Sequence, residues 1–322
     1  MTAPKPEALL VVSFGGPEGP DEVVAFLQNV TRGRGIPDER LVEVGRHYFH
    51  FGGVSPINAQ NRALIAALDP LVDLPIYWGN RNWHPFLADT VARMRADGIG
   101  HALAFFTSAF SSYSGCRQYL EDLASARSQV GENAPTFERL PPFFDRPGFV
   151  EPMRDHVAKA RALVPTGSRL VFTAHSIPIS MASTSRYEAE LRTACDLVAA
   201  GEPWDLVYQS RSGPPAVPWL EPDINDHLRT LAAQGTAGAV VVPIGFVSDH
   251  IEVLWDLDTQ ARATATEVGL PMARAATVGI DRRFVEMIAS MLQQRVTNGG
   301  PAFACAPDCC RAPVRPPDTR PG

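Results

Sequence analysis

Six short apolar runs punctuate the chain, at residues 8–14, 74–80, 101–106, 170–174, 205–209 and 239–244, each closed by glycine, proline or a polar turn. Runs of this length without polar alternation are the pattern of strands buried on both faces. Between them apolar positions recur at helical spacing. In the first half they cover residues 21–30, 41–48, 58–68, 85–97 and 117–130, and in the second 188–200, 223–234, 252–268 and 281–295. Strand alternating with helix, twice over, predicts an α/β fold. It has two similar doubly wound, Rossmann-like domains with parallel sheets and a cleft between them. The proline-rich stretch at 141–150 divides the chain into an N-terminal domain (1–145), a C-terminal domain that includes the last helix (146–295) and a Pro/Cys-rich tail (296–322).

The unusual polar residues follow strands: Gly15-Gly16, Gly79-Asn80-Arg81, Ser111-Ser112, His175, Ser210-Arg211 and Asp249-His250. In doubly wound domains those loops gather at one sheet edge, where ligands bind. The strand at 170–174 runs straight into His175 and is stopped by Pro178, which cannot donate to a ladder. A lone histidine there is equally explained by a bond to a neighbouring carbonyl, so its company matters. Residues 248–258 read Ser-Asp-His-Ile-Glu-Val-Leu-Trp-Asp-Leu-Asp. A helix starting near Asp249 would put Asp249, Glu252 and Asp256 on one face, where like charges repel until a cation or proton relieves them. A solvated acidic first turn, favourable to the helix dipole, is the other reading. An imidazole at one strand end and carboxylates at another suit general-base work or transient binding of a divalent metal. Arg32, Arg34 and Arg46, with Ser55, would suit carboxylates on a ligand, and surface solvation is their ordinary alternative.

Composition narrows the class. With 322 residues, 45% hydrophobic and 20% charged, the chain has the make-up of a globular protein, and a net charge of −6 argues against nucleic acid and against membrane attraction. No apolar run approaches the 18–20 residues or so that span a bilayer, and the N-terminus carries no signal-peptide core, so a cytoplasmic enzyme is expected. Gly15-Gly16-Pro17 is neither a dinucleotide fingerprint nor a phosphate loop, and its glycines are expected to form a turn that a large group can approach. Ser176 beside His175 is not a nucleophile elbow. Five cysteines do not make a disulfide framework. Cys116 and Cys195 lie inside the chain, while Cys305, Cys309 and Cys310 crowd the tail.

Together these motifs resemble the ferrochelatase family. The resemblance runs in order through Leu10-Val-Val-Ser-Phe-Gly-Gly-Pro17, Gly52-Gly-Val-Ser-Pro56 and Phe172-Thr-Ala-His-Ser-Ile-Pro178. It continues through Tyr208-Gln-Ser-Arg-Ser-Gly213, Pro218-Trp-Leu-Glu-Pro222 and the segment from Pro243 to Asp256. It implies a chelatase-type fold and an enzyme, a lyase of heme biosynthesis, that inserts Fe²⁺ into a porphyrin. His175 and Glu252 would be the catalytic pair, binding the incoming iron and accepting the two pyrrole protons. Asp249 and Asp256 would relay protons or metal, and Phe14, Arg32, Arg46, Ser55 and Tyr113 would contact the macrocycle. Some relatives have tyrosine where this chain has Phe14, which cannot ligate iron and is expected to be a packing surface. Asn29-Val-Thr-Arg-Gly-Arg-Gly-Ile-Pro37 and the cysteine tail resemble the actinobacterial branch, implying coproporphyrin III as substrate and coproheme as product. The alternatives are protoporphyrin IX as substrate, or a porphyrin or heme carrier without turnover. The tail implies a [2Fe–2S] cluster on Cys305, Cys309 and Cys310, with zinc as the other candidate. A cluster needs a fourth thiolate; Cys116, at a helix start after a strand, is preferred to mid-helix Cys195. A monomer that hands its product to a further heme-pathway enzyme completes the expectation.

Overall fold

A computed structural model describes residues 4–312 except 34, 214, 300–302 and 307. Arg34 and the tail beyond residue 312 therefore lie outside the described residues.

The N-terminal half runs β1 (Ala8–Ser13), α1 (Val23–Val30), α2 (Asp38–His50), α3 (Ile57–Leu68), β2 (Ile76–Asn80), α4 (Leu87–Ala96), β3 (His101–Phe106), α5 (Gln118–Val130) and β4 (Thr136–Arg139). The C-terminal half runs α6 (Pro147–Arg161), β5 (Arg169–His175), α7 (Ile179–Ala182), α8 (Tyr187–Ala199), β6 (Trp204–Gln209), α9 (Ile224–Ala233), β7 (Ala239–Val242), α10 (Ile251–Val253), α11 (Arg262–Glu267), β8 (Met272–Arg274) and α12 (Arg282–Asn298). Each half holds a four-stranded parallel sheet, ordered β2-β1-β3-β4 and β6-β5-β7-β8.

The central strands are apolar on both sides because helices cover both faces. Along β1, Ala8, Leu10 and Val12 face α4 and α5, packing with Val91, Met94 and Leu123, while Leu9 and Val11 face inward. The inward faces of both sheets share one core, in which Leu103, Phe105, Phe172, Val240 and Val242 meet Phe143, Phe149 and Phe284. The outer face of the second sheet packs Val171, Val207 and Val241 against Leu228, Val253 and Leu257. The α1–α2 hairpin has a small cluster of its own, built on Phe26, Leu27, Leu41 and Trp83.

Three elements depart from expectation. Each sheet has a fourth strand that the apolar pattern does not announce. In β4 the sequence is Thr-Phe-Glu-Arg, and its two charged residues are buried because each has a partner. Glu138 accepts two bonds from Arg295 of α12, at 2.7 and 2.6 Å, and Arg139 donates to the Cys116 sulfur at 2.6 Å. In β8 three residues suffice at a sheet edge. Finally, the proline-rich stretch expected as a divider contains the start of α6. Pro147 opens that helix, and Pro152 is tolerated inside it as a buried residue. Among the described residues no helix is long and apolar enough to cross a membrane.

Candidate active site

In the order β6-β5-β7-β8 the chain leaves β5 toward one neighbour and later returns on its other side, so a crevice opens beyond the carboxyl ends of β5 and β7. His175 is the last residue of β5, paired with Gln209 of β6. Its carbonyl accepts a bond from the buried Tyr187 hydroxyl at 3.0 Å. Its Nδ1 lies 2.5 Å from the Ser176 carbonyl. A carbonyl only accepts, so Nδ1 carries a proton, and in the neutral ring the Nε2 lone pair is the one left over. Nε2 stands 3.7 Å from Glu252 Oε2. Both side chains remain open to solvent, 33% and 48% exposed, as a site that receives a solute requires.

Glu252 lies in the first turn of α10, which follows β7. His250 caps that helix, its Nδ1 accepting the Glu252 backbone N–H at 3.2 Å. Burial pushes the His250 pKa down, against the pull of the Glu252 carboxylate. From Leu254 to Ala261 the helix becomes a π-helix, with wider turns than the α-helix assumed for 252–268. The acidic stripe expected from i, i+3, i+7 spacing therefore does not form: the helix begins at Ile251, and Asp249 precedes it. Asp256 is part-buried behind Glu252. It accepts bonds from the Ser210 hydroxyl and, at 3.4 Å, from Gln209 Nε2. Burial raises its pKa to about 6; the Ser210 bond opposes that rise and the Glu252 charge adds to it. Ser210 reaches Asp256 from a left-handed backbone, φ 63°, a conformation concentrated at functional sites.

Asp249 is held differently from the relay expected of it. Its carboxylate pairs with Arg274 at 3.2 Å, and Thr277 donates to it at 3.3 Å. Its backbone N–H and carbonyl are both clasped by the Gln60 amide of α3, at 3.0 and 3.2 Å.

The residues expected to touch a macrocycle are less uniform. Phe14 is 37% exposed just after β1, with its ring edge-on to Phe26 and the Arg81 guanidinium 6.0 Å away. Arg46 is exposed on α2, and Arg32 is exposed and bonded to Asn29. Ser55 is buried, and a Cβ on Gly16 would stand 2.7 Å from the Ser55 Cβ. On their Cβ sides Gly15 and Gly16 are thus approached by the chain itself, through Asn80 and Ser55. Tyr113 donates to Glu121 at 3.0 Å and packs on the shared core. From α2, the His47 ring stacks on Trp255 at 4.2 Å and His50 meets it edge-on, so α2 closes against the acidic helix.

The described part of the tail folds back onto both halves. Cys310 donates its N–H to the Thr184 carbonyl at 3.0 Å, and Arg117 donates to the Cys309 carbonyl at 2.9 Å. Four thiols meet there in a ring of neighbours: Cys116 bonds Cys305 and Cys310, Cys309 bonds Cys305, and the Cys309 and Cys310 sulfurs are 3.4 Å apart. Cys195 lies elsewhere, buried in α8. Cys305 is held well above the usual thiol range, chiefly by its bond to Cys116 and then by burial. Among the described residues no three His, Cys, Asp or Glu side chains form a ready-made metal cage. The thiols pack on one another instead, with Arg139 as their buried cation.

Four residues went unnoticed in sequence: Gln60, Arg139, Tyr187 and Arg274. Their signals were weak, an arginine in a short apolar segment or an amide on a helix, because each works through a distant partner.

A family model described as ferrochelatase matches residues 6–296. A Mycobacterium ulcerans protein named coproporphyrin III ferrochelatase is 52% identical over 97% of this chain and 96% of its own length. A Rhodopirellula baltica protein named ferrochelatase is 51% identical, covering 98% of this chain and 96% of its own. Among solved structures, SirB from Bacillus subtilis with Fe³⁺ has a TM-score of 0.60 at 9% identity, covering 91% of this chain and 96% of that one. CbiX, a siroheme-biosynthesis enzyme of denitrifying bacteria, has 0.52 at 18%, covering 89% and 98%. At those identities the likeness is one of fold.

Proposed function

The chain belongs to the ferrochelatase family, and from that premise we propose that it inserts ferrous iron into coproporphyrin III, releasing two protons and coproheme. The observation that carries this reading is the His175–Glu252 pair, an imidazole Nε2 3.7 Å from a carboxylate beyond the strand ends. A planar porphyrin hides its nitrogen lone pairs from a metal above the ring. A cleft that holds the macrocycle distorted exposes them, and the two pyrrole protons must then leave. His175 Nε2 is free to take one. Glu252 would take the other or hold the iron, and Asp256, with a pKa near 6, is suited to pass a proton inward near neutral pH. Phe14 would lie against the macrocycle, with Tyr113 and Ser55 beside it, while the exposed Arg32 and Arg46 would meet its propionates. Asp249 serves this reading as an anchor of the acidic segment rather than a carrier of protons.

Cys116, Cys305, Cys309 and Cys310 would hold a [2Fe–2S] cluster, four thiols being its ligand number. Their fit is supported by the ring of sulfur contacts and by the Arg139 guanidinium on the Cys116 sulfur, a cation beside thiols whose crowding and burial otherwise hold Cys116 above the usual thiol range. Such a cluster supplies one-electron chemistry when bound. These residues would also pin the tail to the loop that follows His175. The same reading takes the protein as a cytoplasmic monomer that passes coproheme to a later enzyme of heme synthesis.

Anaerobic mixing of protein, Fe²⁺ and coproporphyrin III should replace the free-base spectrum by that of coproheme, faster than with protoporphyrin IX. His175→Ala should abolish turnover and still bind the porphyrin. Near-normal turnover in that variant would sink the assignment. Porphyrin binding with no turnover in the unmutated protein would point to a carrier.

A further inference from the structure

Residues 249–258 carry four carboxylates, Asp249, Glu252, Asp256 and Asp258, and run partly through a π-helix. Like charges so close repel, and π-helical turns are rare and found mostly at functional sites, so packing of Val253 and Leu257 alone leaves the carboxylates of this segment without a partner charge. Arg274, at the end of the edge strand β8, supplies what is missing. Its side chain is 13% exposed. Nε and one terminal nitrogen donate to the two oxygens of Asp258 at 2.7 and 2.8 Å. The remaining donors reach Asp249 at 3.2 and 3.4 Å and the Ala275 carbonyl at 3.3 Å. These bonds use all five N–H groups of an arginine.

We propose that Arg274 is a positioning residue for iron insertion, fixing the acidic wall of the crevice by gripping it at both ends. Asp249 lies three residues before Glu252 and Asp258 two residues after Asp256, so one rigid fork sets the placement of both acids between them. Gln60 extends the grip to the other domain through the Asp249 backbone. Lysine cannot replace this fork, since its ammonium is a point charge with three donors. The assignment rests on the ferrochelatase reading above and adds to it the residue on which iron reception depends.

The test is Arg274→Lys, measured beside the unmutated protein for turnover, KM for Fe²⁺ and, by fluorescence quenching, Kd for coproporphyrin III. Misplacing the acids should raise the iron KM about tenfold and lower kcat by a similar factor, since displacements near 1 Å cost up to about 10²-fold. The porphyrin Kd should stay within about twofold of its unmutated value, because the macrocycle sits on other elements. Should Arg274→Lys fail to fold, Asp258→Asn in the same assay carries the test, as it breaks the fork and keeps the side chain's shape. An unchanged iron KM, or iron KM and porphyrin Kd weakening together, overturns the positioning role while leaving the ferrochelatase reading intact. An unmutated protein with no turnover overturns both.

Discussion

Replacing Asp256 by asparagine exchanges a carboxylate held in a poorly solvated position for a neutral side chain of the same shape. Burial raises this carboxyl from an ordinary 3.8 to about 6, with Ser210 opposing and Glu252 adding. At 1.36 kcal/mol per pH unit, that rise corresponds to about 3 kcal/mol. The sign follows from proton binding. Between 3.8 and about 6 the folded protein binds more protons than the unfolded chain, so stability falls as pH rises through that window. Below it the parent and Asp256→Asn should be about equally stable, since both side chains are neutral. Above it the parent carries the full penalty and the variant none. Asp256→Asn should therefore be more stable by up to about 3 kcal/mol at pH 7.5, or about 4 °C in Tm for a chain of this length. The gain should fade toward pH 4. Urea denaturation followed by tryptophan fluorescence at pH 4.5, 6 and 7.5 measures this on the apoprotein. If Asp256 accepts a proton during insertion, the same variant should lose turnover by on the order of 10²-fold. A gain that is absent at pH 7.5, or equal at pH 4.5, would refute the view that desolvation governs this carboxyl.

Three further outcomes are expected. Arg295→Met strands Glu138 without its bidentate partner in a buried position, and should destabilise the protein by about 3–5 kcal/mol in a denaturant titration; adding Glu138→Gln should recover part of that. Gly16→Ala drives a methyl group to 2.7 Å from the Ser55 Cβ and 2.9 Å from Ile57, and should cost about 1–3 kcal/mol by thermal melting. Protein purified anaerobically should be brown, and Cys309→Ser should lose the visible absorption with Tm lowered; a colourless protein with stoichiometric zinc would count against the iron–sulfur assignment.

Where the chain's signals were local, they were legible. The buried runs at β1, β3, β5 and β7 needed no tertiary information, because a strand covered on both faces must be apolar throughout. The position of His175 at a strand end was equally plain, since Pro178 stops the ladder. By contrast β4 was illegible. Its Glu138 and Arg139 are polar residues made tolerable by Arg295 and Cys116, which lie 157 residues later and 23 residues earlier in the chain. Pro147 likewise reads as linker, although it fits the first turn of a helix whose stability comes from packing on α8 and α12.

The amino-acid order alone thus determined the alternation of strands and helices, two matching sheets, and the loops that carry histidine and carboxylates. Periodicity and chain-breaking residues are properties of neighbours along the backbone. Only the tertiary structure decided how those groups divide the work. It set His175 Nε2 against Glu252, left Asp256 desolvated behind them, and took Asp249 out of the acidic face by pairing it with Arg274. Each of those outcomes depends on which charges share a low-dielectric space, and residues from β5, the helix after β7 and β8 come to share one only when the sheet is assembled.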